Sequence, residues 1–263
     1  MLANLISNKK TVIVGPSPHL KGQSMGNFID SFDLVVRINE LGISKEYYAD
    51  YGSRTDIAFL TLSEQSLKVY KNMLEKVNIN GLKIVVHPRD KYNINPYSAR
   101  SIKTRNTKEI YDELGISVDY LHISQPSFSE RCNLFGIYPT TGALAIQEIL
   151  NYDFESLYIC GFSFYTTKYK WNEGKKNFMK VYSDNISEHN IRKPGHDINN
   201  EVLGLKKLIA ENINRNISGD NLFKKIIFSK SNVYFKTKQF FNYYINIDNF
   251  KNILKLTIRK LKL

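Results

Sequence analysis

Three short segments of the chain carry side chains that suit phosphate or nucleotide binding. Gly15-Pro-Ser-Pro-His-Leu20 follows an apolar run but has one glycine where a dinucleotide fingerprint needs three, which argues against a standard NAD enzyme. Arg37-Ile-Asn39 ends a second apolar run with an amide that can hydrogen-bond a phosphate, a ribose or a base. Tyr138-Pro-Thr-Thr-Gly142 precedes a helical pattern and brings two hydroxyls and free backbone N–H groups to its positive end, although alone it also fits a simple helix cap. The predicted nucleotide ligands in these segments are Gly15, Ser17, Asn39, Thr140, Thr141 and Gly142.

A lone histidine in a loop is usually only a solvated side chain. It is the family resemblance described below, with Gly195 and Glu201 at the family's spacing, that makes His196 a candidate general base. His196 ends the segment Arg192-Lys-Pro-Gly-His196, and Glu201 follows it five residues later. A neutral imidazole, with an ordinary pKa of about 6.5, can take the proton of an attacking hydroxyl at neutral pH. His189 is the second choice for this role, while His19 lies in the first segment and is expected to touch a phosphate.

Aromatic hydroxyls follow the last strong apolar run. Phe162 and Ser163 come directly after it and are predicted to contact a nucleotide, and Tyr165 and Tyr169 follow them. Phenolic donors placed beside a departing phosphate stabilise the charge that develops there, so the resemblance described below makes both tyrosines candidate catalytic residues. Two aromatic side chains that only pack a lid over the site remain the alternative interpretation.

Alternating strand and helix patterns predict how these residues are positioned. Helical periodicity is strongest at 107–114, 142–150 and 198–213, and it alternates with β-branched apolar runs at 11–14, 34–38, 56–60, 82–86, 119–123 and 156–160. This alternation predicts an α/β fold with a doubly wound, mostly parallel sheet of the Rossmann-like, nucleotide-binding kind. Ligands of such sheets bind beyond the carboxyl ends of the strands, where all the candidate segments fall.

Length and charge divide the 263 residues into two predicted parts. Residues 1–218 suffice for one catalytic domain, with 163–195 as a lid, and ordinary hydrophobic and charged contents of 42% and 24% exclude a disordered chain. Residues 219–263 hold ten Lys or Arg against two Asp, a net charge of +8 out of the +12 of the whole chain. The charge is therefore concentrated in a basic C-terminal segment.

This C-terminal segment is predicted to contain an amphipathic helix. Apolar side chains recur at helical spacing at Phe250, Ile253, Leu254, Ile258 and Leu261, between Lys and Arg residues. Such a helix can lie on an anionic membrane surface, whereas binding to nucleic acid is not expected; the other interpretation is that its apolar face covers the core. The sequence leaves homo-oligomer formation open.

The expected location is the cytoplasm, peripheral to the inner face of a membrane. No apolar run suits a secretory signal or a bilayer span, and the two cysteines, Cys132 and Cys160, are predicted to be reduced core thiols. No Asp-x-Asp motif is present, so neither a metal nor another cofactor is expected beside the donor substrate.

The ordered segments resemble the sialylmotifs of family 29 sialyltransferases. Pro139-Thr-Thr-Gly142 with Leu157-Tyr-Ile-Cys-Gly-Phe162 is similar to the short motif, and His196 with Glu201 is similar to the very short motif. The segments that resemble the long motif are 12–20, Ser24-Met-Gly26, Ile29-Asp-Ser31, Asp33, Arg37-Ile-Asn39 and Gly52-Ser-Arg-Thr55. Gly161-Phe-Ser-Phe-Tyr165 is also similar to the short bacterial sialyltransferases of family 42, in which two tyrosines assist the phosphate.

The resemblance implies an inverting, metal-independent sialyltransferase with a GT-A-like variant of the nucleotide-binding fold. Its donor would be CMP-sialic acid and its acceptor a glycan or glycolipid, such as a lipooligosaccharide or polysaccharide of the cell surface. Pro16 and His19 stand where animal members have Asn, so Asn39 and the loop backbone would carry more of the donor binding. Two alternatives stay open: a transferase of another CMP-activated ulosonic acid such as Kdo, and a non-catalytic membrane or nucleic-acid adaptor built on a nucleotide-binding fold.

Overall fold

The computed structural model describes most of the N-terminal 229 residues. These are residues 1–62, 64–75, 77, 79, 81–88, 106–123, 125–136, 138–164 and 198–229. The predicted catalytic residues Tyr165, Tyr169 and His196, most of the predicted lid and the predicted amphipathic C-terminal helix lie outside this part of the chain.

Helices and strands alternate along the described residues. The strands are β1 (Lys10–Val14), β2 (Leu34–Ile38), β3 (Ile57–Phe59), β4 (Ile84–His87), β5 (Asp119–His122), β6 (Ser156–Cys160) and β7 (Ile217–Gly219). The helices are α1 (Leu2–Ile6), α2 (Gly26–Asp30), α3 (Tyr48–Tyr51), α4 (Glu64–Leu74), α5 (Thr107–Leu114), α6 (Gln125–Phe135), α7 (Thr141–Leu150), α8 (Ile198–Glu211) and α9 (Asn221–Ile227). Short 3₁₀ turns occupy Pro18–Leu20 and Lys45–Tyr47.

The described strands form one seven-stranded sheet in the order β5-β4-β3-β2-β1-β6-β7. Every pairing between neighbours in this sheet is parallel. The predicted α/β, doubly wound fold is confirmed, as are all six predicted strands and the three predicted helices to within two residues at their ends. Strand β7 and the other six described helices, α1, α2, α3, α4, α6 and α9, were not predicted.

Both faces of the sheet are covered, which explains the nearly continuous apolar runs. Val12 on β1 is in register with Val35 on β2 and therefore shares its face; this face packs on α2 and α3, and farther out on α4 and α5. The opposite face carries the fully buried Ile13 and Val36, and α7 crosses it in contact with β2 and β3. The core therefore fills two layers, one on each side of the sheet.

The sheet has one topological switch point, between β1 and β6. Strands β2 to β5 extend from one side of β1, whereas β6 and β7 lie on its other side. In folds of this kind, crossovers leave the sheet in opposite directions at such a point, and ligands usually bind in the crevice beyond the carboxyl ends of the two strands. The loops that follow Val14 and Cys160 border this crevice.

The compact unit that contains the sheet extends from Met1 to Ser229. The boundary predicted after residue 218 falls inside β7, which pairs with β6, and α9 contacts β6, β7 and α8. Residues 219–229 are thus part of the sheet-bearing unit rather than of a separate basic segment. In the described residues, no helix combines the length and apolar character needed to cross a membrane.

Candidate functional site

Two glycines bring the ends of β1 and β6 into direct contact at the switch point. The N–H of Gly15 donates to the carbonyl of Cys160 over 2.8 Å, and that of Ser17 donates to the carbonyl of Gly161 over 3.0 Å. A Cβ atom on Gly15 would lie 2.4 Å from the Gly161 oxygen, and Gly161 has a φ of +74°, so neither position tolerates a side chain. The N–H groups of Gly15 and Ser17 are therefore engaged by the neighbouring strand end, so the predicted nucleotide contact of Gly15 cannot use its N–H group.

A buried carboxylate ties this loop to the last strand. His19 lies 2.9 Å from the Ser17 hydroxyl through Nδ1 and 2.9 Å from Asp220 Oδ2 through Nε2. Asp220 also accepts the N–H of Gly161 over 2.8 Å and, as the N-cap of α9, that of Phe223 over 2.7 Å. Burial works against ionisation of this carboxyl, but the hydrogen bonds from His19 and the two amides outweigh it and lower the pKa of Asp220.

Asn39 follows β2 in a left-handed backbone conformation with a φ of +56°, which asparagine tolerates better than most residues. Its N–H donates to the carbonyl of Phe59 over 2.8 Å, and the Tyr70 hydroxyl lies 3.4 Å from its side-chain oxygen. Tyr70 also donates to the carbonyl of Thr61, which follows β3. These bonds hold the Asn39 side chain at the carboxyl edge of the sheet, where the sequence places it.

The N-terminus of α7 is linked to the first turn of α8. The Thr140 hydroxyl caps α7 by accepting the N–H of Ala143, and it donates to Glu201 Oε1 over 2.9 Å. The Thr140 N–H donates to the other oxygen of the same carboxyl group over 2.7 Å. Within the described part of the chain, the N–H groups of Thr141 and Gly142 have no acceptor, so the positive helix end retains two donors.

Glu201 is itself an unusual group, because its side chain is buried and its hydrogen bonds within the described residues come from Thr140 rather than from a basic side chain. Only 3% of the residue is exposed, and burial raises its pKa to about 7, although both bonds from Thr140 act in the opposite direction. At neutral pH this carboxyl is therefore close to the midpoint of its titration. The Thr140 hydroxyl can donate to the ionised form or accept from the protonated form, so the link persists in both states.

Phe162 joins the loop of β1 to the beginning of α7. A Cβ atom on Gly15 would lie 2.9 Å from the Phe162 ring, and one on Gly142 would lie 2.8 Å from it. The ring therefore packs between two glycines from different segments, with the buried Ser163 next along the chain. Thr141 continues the link to the sheet through a 2.7 Å bond between its hydroxyl and that of Thr61.

Comparison with known proteins agrees with the geometry. The sequence pattern of glycosyltransferase family 29, the sialyltransferase family, matches residues 6–213. The chain belongs to this family. No curated protein sequence matches the chain.

Remote structural similarity accompanies the family match. A mammalian sialyltransferase in complex with Gal-beta-1-3GalNAc-ortho-nitrophenol is 18% identical over 83% of this chain and 71% of its own, with a TM-score of 0.48. The sialyltransferase CstII from Campylobacter jejuni, in complex with the substrate analogue CMP-3FNeuAc, is 18% identical over 83% and 85% of the two chains, with the same TM-score. CstII with cytidine-5'-monophosphate is 17% identical over 87% of this chain and 89% of its own, with a TM-score of 0.49. The family assignment rests on the sequence match.

Much of the long motif of this family 29 chain has a structural task. The buried guanidinium of Arg37 donates to the carbonyls of Arg54, Tyr51 and Gly52 and to the Thr55 hydroxyl. The Asp30 carboxylate accepts hydrogen bonds from the N–H groups of Ser53 and Arg54. The Arg54 guanidinium in turn donates to the Asp30 carbonyl and the Asp56 carboxylate. These bonds fix the connection that enters β3, while Ser17 and Asn39 remain the motif's side chains at the carboxyl edge.

The family 29 site contains residues that sequence reasoning overlooked. Charge patterning assigns Asp220 to the basic segment, although an Asp after a strand and before an apolar helical pattern is a typical N-cap. Thr61 directly follows the strand predicted at 56–60, and inspection of the residue after every predicted strand would have identified it. Tyr70 lies in α4, which was not predicted, and carried no signal of its own.

The described residues of the family 29 chain offer no ready metal site. Among them, no group of three or more His, Cys, Asp or Glu side chains is placed to hold an ion. Both ring nitrogens of His19 are already within hydrogen-bonding distance of a partner, Nδ1 of Ser17 and Nε2 of Asp220. The predicted contact between His19 and a phosphate would therefore have to share a nitrogen with one of these partners.

Proposed function

We propose that this family 29 enzyme transfers sialic acid from CMP-sialic acid to a hydroxyl group of a glycan, with inversion and without a metal ion. The observation that carries the proposal is the Glu201–Thr140 link, because it joins the short and very short motifs at the switch-point crevice. The donor phosphate is assigned to the α7 N-terminus, where Thr141 and Gly142 retain N–H donors in the described part of the chain. Asn39, Ser17 and Phe162 border the remainder of the nucleotide site.

His196 is assigned as the general base. It precedes α8 by two residues, and Glu201 fixes the first turn of that helix to the α7 N-terminus. The imidazole takes the proton of the acceptor hydroxyl while its oxygen forms the new bond to the anomeric carbon. The bond from that carbon to the phosphate breaks on the opposite face, and CMP leaves with hydrogen bonds from Tyr165 and Tyr169.

Replacement of the base tests this assignment. His196→Ala is expected to lower kcat by at least about a hundredfold while the Kd for CMP changes little, because the imidazole acts on the acceptor and not on the nucleotide. His189→Ala is the matched control and should retain activity. Near-normal turnover in His196→Ala, with loss in His189→Ala, would move the base to His189.

A donor panel tests the substrate class. CMP-Neu5Ac and CMP-Kdo are offered with galactose-terminated acceptors, in the presence and absence of EDTA. Transfer from CMP-Neu5Ac that is unaffected by EDTA is expected. Transfer from CMP-Kdo alone would establish the alternative ulosonic acid transferase, and binding of an oligonucleotide without binding of CMP would establish the adaptor.

The basic C-terminal segment is proposed to hold the enzyme at an anionic membrane surface, with a lipid-linked glycan as acceptor. Residues 230–263 contain eight Lys or Arg and one Asp, a net charge of +7, and lie beyond the compact sheet-bearing unit. Each basic side chain near anionic lipid contributes about 1 kcal/mol, so a cluster of this size suffices for peripheral binding.

A further inference from the structure

We propose that Asp220 and His19 are positioning residues for the donor nucleotide, an assignment that rests on the proposed function. Asp220 lies beyond residues 6–213, the part that matches the family. Its carboxylate nevertheless contacts both loops that border the switch-point crevice, through His19 on one side and the Gly161 N–H on the other. A residue 201 positions away from His19 thereby completes the nucleotide site.

The first half of the loop after β1, residues 15–18, has no N–H group left to donate to a ligand. Pro16 and Pro18 have no N–H group, and the N–H groups of Gly15 and Ser17 donate to the carbonyls at the end of β6. The shape of the loop and the direction of its side chains therefore decide what it offers to a nucleotide. Within this loop, the His19 side chain bonds to Asp220, the residue directly after the last strand of the sheet.

The charge of Asp220 sets the direction of the hydrogen bonds. A carboxylate only accepts hydrogen bonds, so His19 Nε2 must carry a proton when it bonds to the ionised Asp220. When the imidazole is neutral, Nδ1 is then an acceptor, and in that state the Ser17 hydroxyl, 2.9 Å away, is the donor. Asp220 therefore fixes the tautomer of His19 and, through it, the orientation of the Ser17 hydroxyl at the crevice.

The same carboxylate fixes the other side of the crevice. Oδ2 receives both His19 Nε2–H and the Gly161 N–H, while Oδ1 receives the N–H of Phe223. Gly161 immediately precedes Phe162, whose ring contacts the positions of Gly15 and Gly142. One buried side chain thus sets the spacing between the loop of β1 and the turn after β6.

The decisive variant is Asp220→Ser. Serine is a good N-cap, so α9 keeps its cap, but the shorter side chain cannot reach His19 or Gly161. The Kd for CMP and the KM for CMP-Neu5Ac are expected to rise about tenfold, as for loss of a hydrogen bond to a charged group, while kcat changes less than about threefold. A role only in folding would lower the active fraction, and hence the apparent kcat, without moving KM.

Asn106→Ala is the matched control. It removes the cap of α5, where the Asn106 side chain accepts the N–H of Lys108, and it leaves the crevice untouched. This variant should lose a comparable amount of stability and keep the wild-type Kd for CMP. An equal rise of Kd in both variants would overturn the proposal, as would an unchanged Kd in folded Asp220→Ser.

His19→Phe tests the same link without touching the α9 cap, and it serves if Asp220→Ser does not fold. It should raise the Kd for CMP. In the double variant with Asp220→Ser, the Kd for CMP should rise by a smaller factor than the product of the two single factors. Multiplicative effects, or an unchanged Kd in His19→Phe, would contradict a shared link. If wild-type protein fails to bind CMP at all, the proposed function fails, which is distinct from equal binding by wild type and variants.

Discussion

Glu201 shows how one buried side chain makes the stability of the protein depend on pH. Its carboxyl group accepts both hydrogen-bond donors of Thr140, and burial raises its pKa to about 7 from an ordinary 4.5. The folded state therefore keeps a proton that the unfolded state releases between these two values. Stability from this group is fully present below pH 4.5 and is lost as pH rises through 7.

Glu201→Gln is expected to remove this dependence. Glutamine stays neutral at every pH and still bonds to Thr140, so the free energy of unfolding should fall less between pH 4.5 and pH 8 than in wild type, by about 3 kcal/mol. Urea unfolding at several pH values measures the difference. Glu211→Gln, which removes an exposed ion pair with Lys207, is the control and should keep the wild-type pH profile. Parallel profiles for wild type and Glu201→Gln would show that the buried carboxyl stays ionised.

Strand ends, rather than whole strands, carry the chemistry of this fold, and two of them meet at Gly15 and Gly161. A Cβ atom added to either glycine would lie only 2.4 Å from the carbonyl oxygen of the other. The contact brings the nucleotide loop and the turn before Phe162 to within hydrogen-bonding distance, as the 3.0 Å bond from Ser17 to Gly161 shows. Any side chain here would separate β1 from β6 at the crevice.

Gly161→Ala should therefore be destabilising and should weaken CMP binding. A left-handed backbone costs a non-glycine residue about 1–2 kcal/mol, and the overlap with the Gly15 carbonyl adds about 1–3 kcal/mol. Gly115→Ala separates the two effects, because Gly115 also has a positive φ, of +66°, but a Cβ atom added there would meet no atom within 4 Å. Urea unfolding should show the larger loss for Gly161→Ala, and CMP titration should be normal for Gly115→Ala. Equal losses in both variants would mean that the strand ends separate at little cost.

Sequence patterns predicted the six longer strands because burial on both faces of the sheet requires β-branched, apolar runs of ordinary strand length. Strand β7, with only Ile217, Ser218 and Gly219, is too short for any periodicity to show. The rule that ligands bind beyond the carboxyl ends of parallel strands predicted Asn39 and Ser17 as site residues. It would also have predicted Thr61 if it had been applied to β3.

Contacts between distant segments lay beyond the reach of the sequence. The bond between His19 and Asp220 exists because β7 pairs with β6 beside β1, and residue spacing carries no record of that order of strands. The link between Glu201 and Thr140 was approached only as a resemblance between motifs, without a prediction that their side chains touch.

The whole molecule consists of a sheet-bearing unit that ends at Ser229 and a basic segment that follows it. Within the first unit, β7 extends the sheet and α9 buries Phe223, Ile226 and Ile227 almost completely. Residues 219–229 therefore belong with the catalytic part of the protein. Residues 230–263 carry most of the excess positive charge, so truncation can separate the fold from the proposed membrane attachment.

Two truncations test this division. A chain that ends at Ser229 should fold, bind CMP as the full chain does, and lose binding to vesicles that contain anionic lipid, because the +7 segment is gone. A chain that ends at Ser218 loses Asp220 and three buried apolar side chains, each costing about 2–5 kcal/mol, and should not hold a stable fold, since total stability is about 5–15 kcal/mol. Vesicle co-sedimentation at low and high salt measures the membrane binding of each chain, and urea unfolding measures the stability of its fold. Salt-sensitive binding that persists in the Ser229 chain would refute the membrane role of the segment, and a fully stable Ser218 chain would place the boundary before β7 ends.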